Sequence, residues 1–438
     1  MYESFYARSV IMKKLIGCLL VVLGMSMWAL MAFAEDPIEL RFTWWGSQDR
    51  HDRTIKVVEM FQKEHPNIKI VYEFANWNDY WTKVSTQAAG GNLPDIMQQD
   101  YARINEWADK KLIAPLDDFV KDGTIDLSNV SENVLTGGRI GGKLYAINIG
   151  SNSLCFALDV DAFKKAGIEL PKQNWTWAEF EQTVLALHEK LGYFGMGAQI
   201  LNEQNWKSLY LSLGQWAYSA DGTALGYTDD QPFIDFMKMA VRLEKAGAIP
   251  TMAEEIELFK QGLEAEPMVK GNAAMQYMWS NQIIAAWKAA GEGRNFVLIH
   301  LPRMTADGAP SNYVKPGQFL SVTTHSKHPK EAAMFIDYFT NSVEANKVLL
   351  AERGVPISSV VAKELEPFLS PAQKEMFAFM ARVIADCSPL PLPDPKNHAE
   401  FMNTVYHPEV VQPVRFGKIT PEQGAKILRD RAEDILTQ

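Results

Sequence analysis

The chain has 438 residues, which exceeds one typical domain and predicts two. Hydrophobic residues make up 47% and aromatic residues 11%, as is typical of a globular protein with ample apolar surface for a core. The formal net charge of −10 and the lack of basic runs argue against a nucleic-acid-binding protein, so no nucleic-acid partner is expected.

The N-terminal segment has the features of a targeting signal. Met12 is followed by two lysines, an apolar run from Leu15 to Leu30 and the small-residue site Ala32-Phe33-Ala34. This order predicts a secretory signal peptide over residues 1–34, cleaved after Ala34, with translation starting at Met1 or Met12. A signal anchor is the alternative, and the polar residues that follow Ala34 argue against it.

The cysteines bear on how the protein is retained and cross-linked. The segment Leu15-Ile16-Gly17-Cys18 resembles a lipoprotein box, but cleavage there would leave only three apolar residues after Lys14, too few for the hydrophobic part of a signal. We therefore expect a soluble protein held in the periplasm by an outer membrane. Beyond residue 34, Cys155 and Cys387 predict either one disulfide or two separate buried thiols.

Residues 38–100 predict parallel βαβ units. Apolar runs rich in β-branched and aromatic residues alternate with segments whose apolar residues recur at helical spacing. Because only a crossover segment can return the chain to start a parallel neighbour, this alternation indicates an α/β sheet. The predicted strands are Ile38–Trp44, Ile68–Phe74 and Pro94–Met97, and the predicted helices are at about 49–65 and 79–89.

Aromatic and polar side chains follow these strands. Trp44 and Trp45 end the first strand, Asp100 follows the third, and Trp77 and Tyr80 open the second helix. Ligands of open α/β sheets bind beyond the carboxyl ends of the strands, and aromatic faces beside amides and carboxylates suit a sugar. Adjacent strand residues point to opposite faces, so at most one of the two tryptophans is expected in a cleft, and Trp44 is our candidate.

The chain then crosses to a second, more helical lobe at Asn148–Asn152, where Gly150 supplies the backbone freedom of a hinge. In that lobe Asn272–Met278 is predicted to be a buried strand that leads directly into Trp279, at a strand end. Thr176 begins a predicted capping box and the tail from 420 forms a final helix. The tryptophans within helical patterns are predicted to be core: Trp206, Trp216 and Trp287.

The order of these motifs resembles a known family. The motifs are Trp44-Trp45-Gly46, Ala89 to Ile96, Lys143 to Ile147, Phe259 to Gly262, Gly317 to Ser321 and His328 to Ala333. In this order and spacing the chain resembles the extracellular solute-binding proteins of family 1, the maltose-binding-like components of ABC sugar importers. The resemblance implies an α/β two-lobe periplasmic-binding-protein fold, in which each lobe is a mainly parallel sheet flanked by helices. It implies three hinge crossovers, an N-terminal lobe of 35–150 with 312–354, and a C-terminal lobe of 151–311 with 355–438.

The family places its ligand between the lobes, which implies a set of site residues here. An arginine in the first turn of a helix can donate to sugar oxygens or pair with a neighbouring aspartate, and a carboxylate after a strand can accept from vicinal hydroxyls. The detailed pattern looks most like the oligosaccharide-binding branch, including relatives that take plant cell-wall fragments. The candidates are Trp44, Gln48, Arg50, Trp77, Tyr80, Asp100, Asn152, Trp279, Asn281 and Gln318.

The sequence lacks the common catalytic motifs. The sequence has no nucleophile elbow, phosphate-binding loop or H-E-x-x-H pair, and its eight histidines lack ligand spacing, so no catalysis, metal or cofactor is expected. Because acidic residues are plentiful, a secreted glycosidase or lyase is the alternative function. The expected partners are a saccharide and the transmembrane permease of an ABC importer, with a chemoreceptor as a further possibility, and the protein is expected to be a monomer.

Overall fold

A computed structural model describes residues 37–437. The predicted signal peptide and its cleavage site lie outside these residues. Within them, every helix is too short or too polar to span a bilayer.

The first sheet has five strands in the order β2-β1-β3-β13-β6. β1 (Ile38–Trp45) pairs in parallel with β2 (Ile68–Ala75) and β3 (Ile96–Gln99), and β13 (Phe319–Val322) is antiparallel to β3 and to β6 (Ile147–Asn148). Four of the strands therefore run in one direction, as expected for a mainly parallel sheet.

The second sheet has four strands in the order β11-β8-β10-β9. β8 (Leu154–Asp159) is antiparallel to both β10 (Ala273–Trp279) and β11 (Phe296–Ile299), and β9 (Phe194–Met196) is parallel to β10. Two of its three pairings are antiparallel because β8 runs against both neighbours, so this sheet is mixed, whereas a mainly parallel sheet was expected.

Three segments connect the sheets, and they lie side by side. β7 (Ser151–Asn152) leads from β6 to β8 and pairs with β12 (Lys315–Pro316), which leads back toward β13. The third segment contains Val355, which exchanges backbone hydrogen bonds with Ser151. Short paired segments between two larger bodies are a common form of hinge.

The remaining elements are mostly helices. The first sheet is accompanied by α1 (Gln48–Glu64), α2 (Trp77–Ala89), α3 (Ile104–Asp109), α4 (Asp117–Lys121), α5 (Glu132–Leu135), α12 (Pro329–Asn341) and α13 (Val343–Leu349), with a hairpin of β4 (Arg139–Ile140) and β5 (Lys143–Leu144). The second sheet is accompanied by α6 (Val160–Ala166), α7 (Trp177–Leu191), α8 (Glu203–Leu211), α9 (Gln231–Lys245), α10 (Met252–Gln261), α11 (Gln282–Ala290), α15 (Pro371–Ala385), α16 (His398–Phe401), α17 (Gln412–Arg415) and α18 (Pro421–Leu436). Helix α14 (Ser359–Leu365) lies between the two groups, where it packs on Val343 of α13 and Phe377 of α15. A π-helical stretch, Met402–Val411, joins α16 to α17, and three short 3₁₀ turns lie at Thr136–Gly138, Leu263–Ala265 and Glu366–Phe368.

Apolar side chains from each sheet and its helices form separate cores. Phe42 of β1 packs with Phe61 of α1 and Phe335 of α12 on the first sheet. Phe156 of β8 packs against Phe180 of α7 on the second. Because the cores are separate, the surface between the sheets is available for a ligand.

The predicted α/β fold is confirmed, with small shifts at the ends of elements. β1 extends to Trp45, α2 begins at Trp77, and β10 ends at Trp279 instead of before it. Thr176 and Glu179 form the predicted capping box at α7. Cys155 and Cys387 are both free thiols, so the alternative of a disulfide is wrong. Cys155 is buried, as the other alternative predicts, whereas Cys387 is only partly buried.

Candidate functional site

A cavity of about 610 Å³ lies between the two sheets. Its wall includes the last residue of β1, Trp45, and Asp100 just after β3, at the carboxyl edge of the first sheet. The opposite wall includes Trp279, the last residue of β10 in the second sheet. The hinge residues Asn152 and Lys315 also line it, so the cavity is built from both sheets and the segments between them.

Trp45 and Trp77 form an aromatic wall at the first sheet. Their ring centroids are 5.0 Å apart and their planes are nearly perpendicular, at 88°. Trp45 is 6% exposed and Trp77 is 41% exposed, so the Trp77 indole offers the larger accessible surface. Tyr80 lies behind this wall, fully buried, where its hydroxyl donates to the carbonyl of Gln98. Tyr80 therefore supports the site and does not line it.

The prediction that Trp44 faces the cleft is wrong. Its side chain is completely buried against Phe42 and Phe74, and its indole N–H donates to Nδ1 of His51 at 3.0 Å. Because residues alternate along a strand, the face that α1 covers receives Trp44 and the cleft receives Trp45.

Arg50 lines the cavity in the first turn of α1. Ser47 caps this helix by accepting from the Arg50 backbone N–H, which fixes where the arginine side chain leaves the helix. Its guanidinium pairs with Glu352, with Nε 2.7 Å from Oε2 and 3.0 Å from Oε1. Arg50 therefore has its carboxylate partner in the third connecting segment, and not in Asp49 or Asp52.

Asp100, Lys315 and Trp279 form a chain of contacts across the cavity. Oδ1 of Asp100 accepts from the backbone N–H of Ala102, and its Oδ2 lies 3.5 Å from the Lys315 ammonium. That ammonium lies 4.8 Å from the centre of the Trp279 ring, within the range of a cation–π contact. The three side chains link the first sheet, the hinge and the second sheet.

The predicted amide residues divide between the hinge and the surface. Asn152 donates to the carbonyl of Arg353 at 2.9 Å, and Asn281 donates to that of Glu352 at 3.4 Å. Both line the cavity, as does Gln318, whose side-chain carbonyl is buried without a hydrogen-bond partner. Gln48 is exposed, donates to Asp52 at 2.7 Å, and is not among the cavity residues.

Sequence reasoning missed the part of the cavity wall that includes α8. Lys207 of α8 pairs with Asp394, with Nζ 2.7 Å from Oδ2, and both line the cavity. Trp216 packs against the second core but also lines the cavity, so its prediction as a core residue alone is wrong. Gly214, with a φ of 73°, was the available signal, because a left-handed glycine ends the helix before Trp216.

Burial shifts the pKa of several groups that line the cavity. Desolvation lowers the pKa of His398 to about 4 and raises that of Glu266 to about 7. Burial also opposes ionisation of Glu203, but the His407 hydrogen bond and the Lys207 charge outweigh it and hold its pKa at about 2. His398 is therefore neutral and Glu203 charged near neutral pH. No group of three or more metal-ligating side chains occurs within residues 37–437.

Two α/β bodies with a ligand-sized cavity at their hinge define a two-lobed binding protein. Residues 48–345, more than half of the chain, match the family model described as bacterial extracellular solute-binding protein, and the chain belongs to this family. The resemblance to the family-1 proteins is thereby confirmed.

Several known proteins are similar to this chain. An extracellular solute-binding protein of family 1 from Alicyclobacillus acidocaldarius is 31% identical, with a TM-score of 0.70 over 92% of this chain and 100% of that one. A periplasmic oligogalacturonide-binding protein from Yersinia enterocolitica, solved with saturated digalacturonic acid, is 24% identical, with a TM-score of 0.80 over 91% and 98%. An uncharacterized lipoprotein of Streptomyces antibioticus is 24% identical over 86% of this chain and 82% of its own.

Proposed function

We propose that this protein is the periplasmic substrate-binding component of an ABC importer. It captures an oligosaccharide in the cleft between the sheets and delivers it to the membrane permease. Membership of the extracellular solute-binding family supports the binding role, and the oligogalacturonide-binding relative supports carbohydrate as the ligand class.

The observation that carries this proposal is the lining of the cavity. Indole rings approach from both sides, Trp45 and Trp77 from the first sheet and Trp216 and Trp279 from the second. Indoles can cover the apolar C–H faces of sugar rings, and the carboxylates and amides between them can accept from or donate to hydroxyls. The cavity of about 610 Å³ is within the usual size of small-ligand sites.

Closure of the cleft would give the permease a ligand-dependent surface to recognise. The proposed lobes are residues 35–150 with 312–354, and 151–311 with 355–438. They would rotate about the three connecting segments, whose hydrogen bonds join Ser151 to Val355 and Asn152 to Lys315. A ligand that contacts both lobes favours the closed state by its differential affinity. We expect the protein to act as a monomer.

A saccharide panel with the chain from Glu35 onward tests the proposal. A bound sugar should raise the free energy of unfolding by about 2.7 kcal/mol at a hundredfold excess over its dissociation constant. Titration calorimetry should give one site per chain, and the sugar should be recovered unchanged after prolonged incubation. Time-dependent cleavage would instead identify a secreted carbohydrate-active enzyme, and a panel without any binder would contradict the saccharide assignment.

A further inference from the structure

Each cationic side chain on the described cavity wall already has a carboxylate partner from this chain. Arg50 pairs with Glu352 at 2.7 Å, as described above. Lys207 lies 2.7 and 2.9 Å from the two oxygens of Asp394, and Lys207 is only 2% exposed. The third cation, Lys315, is 3.5 Å from Asp100. A ligand carboxylate would therefore have to share or displace an existing partner to gain a salt bridge.

The wall also contains acidic groups beyond these pairs. Glu203 and Glu266 both line the cavity, and Glu203 is ionised at neutral pH. Glu266 is 4% exposed, and its Oε1 accepts from the amide of Gln199 at 3.2 Å. His398 adds no positive charge, because its buried ring is neutral at this pH. The cavity surface is thus neutral to negative.

We propose that the saccharide bound here is uncharged, and that the pairing of cleft cations with carboxylates, Lys315 with Asp100 above all, excludes acidic sugars. This inference rests on the proposed function and narrows its substrate class. The carboxylates accept hydrogen bonds from neutral hydroxyls, whereas a uronate would bring like charge into a partly desolvated cleft. Selectivity then comes from a repulsive element as well as from attractive contacts. This chain would differ in that respect from its oligogalacturonide-binding relative.

Matched pairs of sugars that differ only in oxidation at C6 test the inference. The probes are galactobiose with digalacturonic acid and cellobiose with cellobiouronic acid, titrated at pH 7.5 beside the panel above. We expect the neutral member to bind at least about tenfold more tightly than its acidic counterpart. Equal or tighter binding of the acidic member would overturn the inference and leave the saccharide assignment intact. If no saccharide of the panel or of either series binds, the proposed function fails and the inference fails with it.

The substitution Asp100→Asn tests whether the Asp100–Lys315 pair determines the selectivity against acidic sugars. The amide retains an oxygen for the Ala102 N–H but removes the negative charge beside Lys315. Because the ammonium of Lys315 is then free to attract a ligand carboxylate, the ratio of the affinity for the neutral sugar to the affinity for the acidic sugar should fall about tenfold. Asp109→Asn removes the same charge from the exposed surface outside the cavity and should leave the ratio unchanged. An unchanged affinity ratio in Asp100→Asn would contradict the role of the Asp100–Lys315 pair. The affinity ratio of the wild-type protein tests by itself whether acidic sugars are excluded.

Discussion

Arg50 and Glu352 are separated by 302 positions in sequence and joined by an ion pair that ties α1 to the third connecting segment. Arg353, which is also buried, approaches the same carboxylate, with its Nη1 3.7 Å from Oε2. Burial disfavours the charged carboxylate, yet both arginines stabilise it, and the pKa of Glu352 is lowered overall. Two arginines beside the cleft therefore share one carboxylate, and the group of three side chains keeps one net positive charge.

The first prediction is that Glu352→Gln destabilises the protein. Two buried guanidinium groups would lose their counter-charge, and we expect the free energy of unfolding to fall by about 3 kcal/mol, measured by urea denaturation. Glu344→Gln is the matched control, because its pair with Lys347 is at the surface, with the Glu344 side chain 70% exposed. It should change stability by less than about 1 kcal/mol. Equal effects of the two substitutions would contradict a buried structural role for Glu352.

The second prediction separates the adjacent tryptophans. Trp44→Ala would leave a cavity in the core and break the hydrogen bond to His51, so we expect a loss of about 3–5 kcal/mol in the free energy of unfolding. Trp77→Ala, at an exposed cleft residue, should cost far less stability and should weaken saccharide binding. Chemical denaturation and calorimetry of both variants provide the measurement. A stable Trp44→Ala variant with impaired binding would restore Trp44 as a ligand residue.

Local patterns were sufficient to predict much of the fold. β1, α1 and β2 lie within one or two residues of their predicted bounds, because hydrophobic periodicity depends on which face of each element is buried. The same period of two indicated that Trp44 and Trp45 face opposite sides but did not decide which one faces the cleft. That choice depends on where α1 packs, which is a tertiary contact.

The wall that includes α8 could not be predicted in this way. Lys207 and Asp394 are 187 positions apart, and neither has a local signal that identifies the other. The proline-dense segment around Asp394 was visible in the sequence, but its position depends on contacts such as the hydrogen bond from the Tyr101 hydroxyl to the Pro391 carbonyl, at 2.8 Å. Side-chain pairs of this kind follow from the completed fold and not from composition or spacing.

The third prediction concerns acid sensitivity and His300. This residue is 3% exposed, and burial lowers its pKa from 6.5 to about 4. Between these values the unfolded chain binds a proton that the native ring does not, so stability falls as the pH decreases below about 6.5. His398 acts in the same direction.

The variant His300→Gln removes this proton-binding difference. At pH 7 its free energy of unfolding should be lower than that of the wild type because the packing is altered. At pH 4.5 this difference between the two proteins should be smaller by about 2 kcal/mol, because only the wild type loses stability through protonation of His300. Urea denaturation at both pH values measures this difference. His325→Gln, on the exposed surface, should follow the wild-type pH profile. If the difference in the free energy of unfolding between His300→Gln and the wild type is the same at both pH values, His300 is not a buried neutral histidine.

The last prediction concerns Trp279, which we place opposite Trp45 and Asp100 in the cavity. A sugar stacked on its indole would remove about 100 Å² of apolar surface from water, and at roughly 25 cal/mol per Å² this contributes about 2.5 kcal/mol. Trp279→Ala should therefore weaken saccharide binding about tenfold to a hundredfold. The melting temperature without ligand should change little, because the side chain is partly exposed at the end of β10. Trp287→Ala is the control, because Trp287 packs on Phe296 outside the cavity, so it should lower stability and leave affinity unchanged. A Trp279→Ala variant that binds normally but melts far lower would show that Trp279 is a core residue.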